Sequence, residues 1–565
     1  MKKIQAISAA LLATGIAFSS VSCGSNETSS TTSSSSDSAS SASSTSSASA
    51  SSSSGLPITA EKTTFEIFSF MSGKAALSVS SHEDVLAFQE LEKRTNIDIV
   101  WNHPPTGQEA EQFNLMTASQ DLPDMIYYDW RNQYPGGPEK AIMDQVIIDL
   151  KDKVAELAPN FSQMLEEYPE LKKEITTDSG ALYMFPTISQ AYLEAGDNKP
   201  VNYGFAYRKD WAERVGYDQD PLTIEDWHEM LTLFKEQDAN GNGDPNDEIP
   251  FVSTNGDGKA LLIRTWIPAW GMLRDFYVDP ETKQINHPFN NPEAFLDFIT
   301  TMNQWYSEGL IDPDYLANDG DSHSAKMMSN ISGGYCGTIG GSFNTFMTQG
   351  PEVIDGFKLE PVPYPIGPAG QSYTSQSAYI TRGMGLAITT ACEQPDIALR
   401  WMDYVMGDEG SMLVNFGIEG EHYTIQEDGL PAWSDKIVEE AESQHKTLDE
   451  VVGGIAIGAV EQWATLQRST APAPGSELMN YAMEKWAPSS YALSLPPMTF
   501  TPEESAQIAQ LVTEIDTYYE EIVNKMIMGQ APLSDFDAAV EAVKNMGLEE
   551  ALKIYNDAYT RYQNR

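Results

Sequence analysis

Basic residues are scarce in this chain: 34 Lys and Arg stand against 82 Asp and Glu, a formal net charge of −48 at pH 7. Such an excess of acid repels phosphate backbones, anionic lipid surfaces and polyanions at long range, which excludes nucleic acid as a partner. The charge itself serves mainly solubility. Cysteine is scarcer still. Only Cys23, Cys336 and Cys392 occur, so no disulfide framework carries the fold. Beyond the N-terminus no apolar run approaches the ~20 residues that a membrane-spanning helix needs. Common catalytic signatures are missing too, with no His-Glu-x-x-His, no Gly-x-x-x-x-Gly-Lys and no Gly-x-Ser-x-Gly. The chain does not read as an enzyme.

What is present at the N-terminus is the order of a secretory signal: Met1-Lys2-Lys3, an uncharged and mostly apolar run from Ile4 to Val21, then Ser22-Cys23-Gly24. Residues 1–22 are therefore expected to be a cleaved signal peptide. Ser20-Val21-Ser22-Cys23 resembles a bacterial lipobox, with Ser20 where leucine is usual, and this marks Cys23 for acylation, a palmitate-type anchor. Residues 25–54 are almost entirely Ser, Thr and Ala, with nothing to bury, and residues 23–60 are read as the lipidated cysteine and its flexible tether. The expected location is the cell membrane, anchored by lipid alone and facing the extracytoplasmic side.

The remaining ~510 residues are enough for at least two cores. Short β-type runs at Phe65 to Phe70, Ile97 to Trp101 and Asp124 to Tyr128 alternate with helical patterns near Asp84 to Arg94 and Gln108 to Ser119. This βαβαβ order predicts an α/β fold with a mostly parallel sheet, whose ligands sit beyond the strand C-terminal ends. Met71, Ser72, Asn102, His103, Trp130 and Arg131 follow those strands and are ligand candidates. Further along, Thr223 is a predicted N-cap with Asp226 three residues on. Helices are also expected at 292–308, 394–406, 502–528 and 548–563.

The run Ala118-Ser-Gln-Asp-Leu-Pro-Asp124 resembles one known family, as do Ser179-Gly-Ala-Leu-Tyr-Met-Phe-Pro186, Tyr207-Arg-Lys-Asp-Trp211 and the loop Asp238 to Pro250. So do Glu308-Gly-Leu-Ile-Asp-Pro-Asp314, Phe416-Gly-Ile-Glu-Gly420 with Tyr423, and Met546-Gly-Leu-Glu-Glu-Ala-Leu552. The family is the extracellular solute-binding proteins of family 1, in the long lipoprotein branch serving carbohydrate ABC importers. The resemblance implies a type II periplasmic-binding-protein fold, in which two α/β lobes with interleaved chain order are joined by hinge strands. It places the crossings near 183–186 and 361–365, with a third between about 465 and 500. On that analogy residues 61–185 and 361–470 form the first lobe and 186–360 the second, with 471–565 a helical part mostly on the second. It also implies a monomer that captures an oligosaccharide or glycoside and passes it to importer permease subunits. An oligopeptide-binding protein and a secreted glycan-acting enzyme are the alternatives.

Two sets of residues carry the chemistry of that reading. In Asp238-Ala-Asn-Gly-Asn-Gly-Asp-Pro-Asn-Asp-Glu248, oxygen side chains recur at Asp238, Asn240, Asn242 and Asp244, with Gly243 at the sixth position. This is EF-hand-like spacing for Ca²⁺ in a structural role. Position twelve is Ile249 instead of a bidentate Glu, so Asp247 or Glu248 has to close the shell; the other reading is a solvated Asn/Gly turn. Sugars present apolar CH faces as well as hydroxyls, which calls for aromatic platforms flanked by polar groups. Trp130, at a strand end, and Trp266 and Trp270, in a Trp-Ile-Pro-Ala-Trp run, are the candidate platforms. Tyr207 and Arg208 follow a crossing, and the resemblance adds Glu419 and His422. Trp211 and Trp227 are expected in the core.

Overall fold

The computed structural model describes residues 55–71, 79–196, 199–256, 259–444, 459–461 and 476–565. The signal, Cys23 and nearly all of the serine-rich tether lie outside them, as does Ser72. Among the described residues ten strands make two principal sheets. They are β1 (Thr63–Ser69), β2 (Ile97–Asn102), β3 (Met125–Tyr128), β4 (Phe185–Ser189), β5 (Tyr203–Arg208), β6 (Ile249–Phe251), β7 (Ser332–Thr338), β8 (Leu359–Val362), β9 (Thr381–Ile388) and β10 (Val460–Glu461).

The first sheet runs β10-β4-β9-β3-β1-β2. β1 is parallel to both β2 and β3, as the βαβαβ pattern requires, and the connecting helices span Leu86–Thr95 and Glu109–Ser119. β9 enters antiparallel between β3 and β4, pairing Gly385 with Tyr128 on one side and with Pro186 on the other. The second sheet runs β8-β5-β7-β6, with β5 antiparallel to both its neighbours. Each sheet has its own apolar core. One is built from Phe65 through Leu193 and again from Ile380 to Val460. The other is built from Val201 to Tyr373 and from Ala482 to Ala551. Chain order is thus interleaved between two α/β lobes, as expected for the type II fold.

The crossings lie later than 183–186 and 361–365. All five residues of β4 are buried against β9, so the chain completes the first sheet before leaving it between Leu193 and Val201. Likewise β8 pairs with β5, and Tyr364 and Tyr373 pack in the second core, so the return falls between Tyr373 and Ile380. The third crossing falls partly outside the described residues. At the two described crossings the segments are laced by side chains. Gln376 Nε2 donates to Asn202 Oδ1 (2.7 Å) while Asn202 N donates to Gln376 Oε1 (3.2 Å), and Tyr491 Oη donates to the Pro200 carbonyl (2.8 Å).

Local signals behave as read. Thr223 Oγ1 accepts from Asp226 N (3.1 Å) and Asp226 Oδ2 accepts from Thr223 N (2.9 Å), a reciprocal cap that starts the helix Ile224–Glu236. Helices at Pro292–Ser307, Pro395–Met406, Pro502–Ile527 and Leu548–Gln563 follow their sequence patterns within a residue or so. Among the described residues no helix is long and apolar enough to cross a membrane.

Candidate functional site

The C-terminal ends of β1, β2 and β3 point to one edge of the first lobe, where a ligand would enter such a sheet. At β2, His103 Nδ1 donates to the Ser69 carbonyl (2.6 Å) and Nε2 accepts from His82 N (3.1 Å), so this ring stitches loops together and has no nitrogen left for a ligand. At β3 the turn is built by Asp129. Its carboxylate accepts from Arg131 N (3.2 Å), Asn132 N (3.0 Å) and Asn132 Nδ2 (2.7 Å). Below the turn Trp130 is fully buried, with its ring 5.4 Å edge-on from Phe113 and 6.1 Å from Tyr134. Trp130 anchors this loop and presents no face to a solute.

Arg131 projects beside it, half-buried, with Cζ 4.8 Å from the centre of the Tyr379 ring. Next to this pair the returning chain enters β9. Glu174, itself buried, accepts from Ile380 N and Thr381 N (both 2.9 Å), and burial raises its carboxyl above the usual carboxylate range. A buried hydroxyl nearby, Tyr183 Oη, has no hydrogen-bond partner. Burial pushes the Tyr183 phenol up to about 12, while the charges of Arg131 and Asp129 act on it in opposite directions. Gly383, at φ +79°, closes the same corner.

The other expected contacts are not gathered at one place. Trp266 is fully buried, its ring within 4.8–4.9 Å of Phe205, Phe251 and Trp305. Trp270 is buried and donates Nε1 to Asp297 Oδ2 (2.7 Å). Tyr207 is buried, with Oη donating to Asp220 Oδ1 (3.0 Å). Arg208 is wholly buried and forks onto Asp210 (2.8 and 2.7 Å) between the Trp211 and Phe357 rings. All four belong to the second lobe's interior. The run holding Trp266 and Trp270 is helical, Leu261–Trp266 followed by a 3₁₀ turn, which turns both rings inward. His422 is buried and its Nδ1 accepts from Ile418 N (3.1 Å), which fixes the 417–423 loop; burial lowers its pKa. Glu419 is exposed on that loop, bridged to Tyr423 beside a hairpin of Tyr423–Ile425 and Pro431–Trp433. Trp211 and Trp227 are core residues, as expected. Every tryptophan among the described residues is at most 8% exposed, so none offers a stacking face as it stands.

The loop from Asp238 to Glu248 is wound in successive Asx turns. Asn242 N donates to Asn240 Oδ1 (2.9 Å), Asp244 N to Asn242 Oδ1 (2.7 Å) and Asn246 N to Asp244 Oδ1 (3.2 Å), while Gly243 N reaches across the loop to Asp238 Oδ2 (2.9 Å). Asn240 Nδ2 and Asn242 Nδ2 both donate to Asp247 (2.8 and 2.7 Å). Gly241 and Gly243, at φ +74° and +91°, supply the left-handed turns such a winding needs. Among the described residues no three carboxylate, imidazole or thiol side chains converge on a common point. Yet Asp238 Oδ1 and Glu248 Oε2, at the two ends of the loop, are buried oxygens without a partner, and burial raises the Glu248 carboxyl above its usual range. Stranded acceptors of this kind fit a cation bound by a mixture of carboxylate, amide and backbone oxygens.

Comparison with known proteins completes the description. The chain is 26% identical over 538 residues to the fructooligosaccharide ABC transporter substrate-binding protein FusA of Streptococcus pneumoniae serotype 4, covering 90% of this chain and 92% of that one. Its fold superposes on alginate-binding protein AlgQ2 without calcium ion at a TM-score of 0.69 and 22% identity, over 89% of this chain and 99% of the other. The S. pneumoniae FusA EF-hand mutant in complex with fructo-nystose gives 0.68 at 23% identity, over 89% and 99%. Residues 80–412 match the family described as bacterial extracellular solute-binding protein, and the chain belongs to that family.

Proposed function

We propose that this protein captures a carbohydrate, an oligosaccharide or glycoside, between its two lobes and delivers it to the permease subunits of an ABC importer. The observation that carries this reading is the end-to-end likeness to FusA, whose name gives a fructooligosaccharide as its solute, on a fold shared with an alginate-binding protein. The interleaved lobes and laced crossings fit a body that bends about those segments, with closure driven by contacts the solute makes only in the closed state. Lipid on Cys23 would hold the protein as a monomer at the outer face of the cell membrane, with the serine-rich tether as its leash. The loop Asp238–Glu248 is proposed to bind structural Ca²⁺ through Asp238, Asn240, Asn242, Asp244, Asp247 and Glu248. The ion would neutralise carboxylates in the second lobe and takes no part in chemistry.

A thermal-shift and calorimetry panel of neutral oligosaccharides, uronate oligomers and peptides tests the function. A bound ligand at a hundredfold excess over Kd adds about 2.7 kcal/mol, so a cognate sugar should raise the melting temperature visibly. Peptides that bind while every sugar fails would refute it. Turnover of a glycan would instead favour an enzyme.

A further inference from the structure

We infer that Arg131, seated on the Tyr379 ring at the end of β3, is the residue that grips the solute, by a pair of its oxygen atoms; this rests on the carbohydrate reading. A guanidinium carries five N–H donors and is always charged, so when taken out of bulk water it is normally matched by acceptors. The other arginines with substantial burial obey this rule: Arg94, Arg208, Arg274, Arg561 and Arg565 each pair with at least one carboxylate. Arg131 has no side-chain acceptor among the described residues. Its own neighbour Asp129 is spent on the loop backbone and Asn132. Arg264 and Arg400 also lack protein acceptors, but both are exposed and water serves them.

Position and surroundings strengthen the case. Its place over the Tyr379 ring, Cζ 4.8 Å from the ring centre, steadies the guanidinium before any ligand arrives. The orphaned hydroxyl of Tyr183 is buried in the same corner and adds a donor or acceptor still to be used. A Cβ on Gly383 would stand 3.7 Å from Arg131 Nη2 and 3.6 Å from Asp129 Oδ2, so glycine leaves the space beside the fork open. Two parallel N–H groups match two oxygens lying in one plane. In a carbohydrate that pair is either a uronate carboxylate or two neighbouring hydroxyls.

Binding by the full-length protein and its Arg131→Ala and Arg131→Lys variants tests this, with kestose and trigalacturonate as probes, by calorimetry at low and high salt. The expected result is that Arg131→Ala weakens whichever probe binds by about 10- to 100-fold at unchanged melting temperature, and that lysine, lacking the fork, restores little. Binding of trigalacturonate that weakens with salt identifies the carboxylate; salt-insensitive binding of kestose identifies the hydroxyl pair. A second readout needs no variant: phenylglyoxal should modify Arg131 in the free protein, and saturating sugar should protect it in peptide-mass maps. Wild-type affinity in both variants overturns the inference and leaves the carbohydrate reading standing. So does modification undiminished by bound sugar, which decides the matter if a variant misfolds. If the wild-type protein binds no oligosaccharide of the wider panel, the carbohydrate reading fails and this inference with it.

Discussion

Trp266 has Phe205, Trp227, Phe251 and Trp305 within 5.4 Å of its ring centre and no exposed surface. Truncation to alanine leaves a large cavity among rings that cannot collapse into it, and should lower stability by about 3–5 kcal/mol. Chemical denaturation should show this loss, while affinity for the solute, measured on the folded fraction, should stay within about threefold. His82 makes a different prediction. It is wholly buried beside Trp101, Phe88 and His103, with both ring nitrogens unpartnered. Burial, aided by His103, holds its pKa down to about 3 from an ordinary 6.5. The folded state therefore keeps this ring neutral where the unfolded chain would protonate it. Stability is full above pH 6.5 and falls as the pH drops from there towards 3, by about 2 kcal/mol at pH 5 from this residue. Denaturation of wild type and His82→Phe at pH 7 and pH 5 should show the wild type losing about that much more. Sequence alone could nominate Trp266, Trp270 and Tyr207 as aromatic, but not say which way they face, because a helical turn and a loop of the same residues point their rings oppositely. Arg131 was in reach through its place after a strand, whereas Tyr379 lies hundreds of residues away and no spacing rule joins the two.

Among the elements, helix ends were the most legible. Thr223 with Asp226, and Pro502 at the first position of its helix, are short-range signals that need no tertiary knowledge. Lobe membership was not. β4 is buried along its whole length, and a run such as Phe-Pro-Thr-Ile-Ser reads equally well as the last strand of one sheet or the first of another. Contacts between distant elements were also hidden. Arg561 Nε donates to Asp178 Oδ2 (2.6 Å), Arg561 also pairs with Glu504, and Arg565 pairs with Asp178 and donates to the Thr176 carbonyl. The helix Leu548–Gln563 is tied in this way to the turn after Pro169–Glu174 in the first lobe. Asp178→Asn should leave two guanidinium groups short of their counter-charge and cost about 2–3 kcal/mol. Hydrogen exchange should then quicken in Leu548–Gln563 before it does in β1 to β3; equal protection in wild type and variant would show that the tie contributes nothing.

At the scale of the whole molecule the calcium-type loop offers the clearest experiment. Asp238, Asp244, Asp247 and Glu248 crowd four carboxylates into a short loop, and two of their oxygens are stranded. A cation there should stabilise the protein by about 2.7 kcal/mol when present at a hundred times its Kd. EGTA should lower the melting temperature of wild type and leave Asp238→Ala unmoved. Equal melting with and without chelator, in a protein that carries no metal, would mean that the loop is only a turn.

β9 fills the gap between β3 and β4, yet it is made only after the chain has travelled through the second lobe and back. A polypeptide appearing N-terminus first therefore holds β3 with one raw edge, and β4 with no partner strand at all, until Thr381–Ile388 appears. Open edges of that kind pair with the wrong neighbour, and long-range insertion is slow. Folding of this protein should thus be limited by how long the half-built sheet can be kept from pairing elsewhere, and a chaperone would have most to do during that interval.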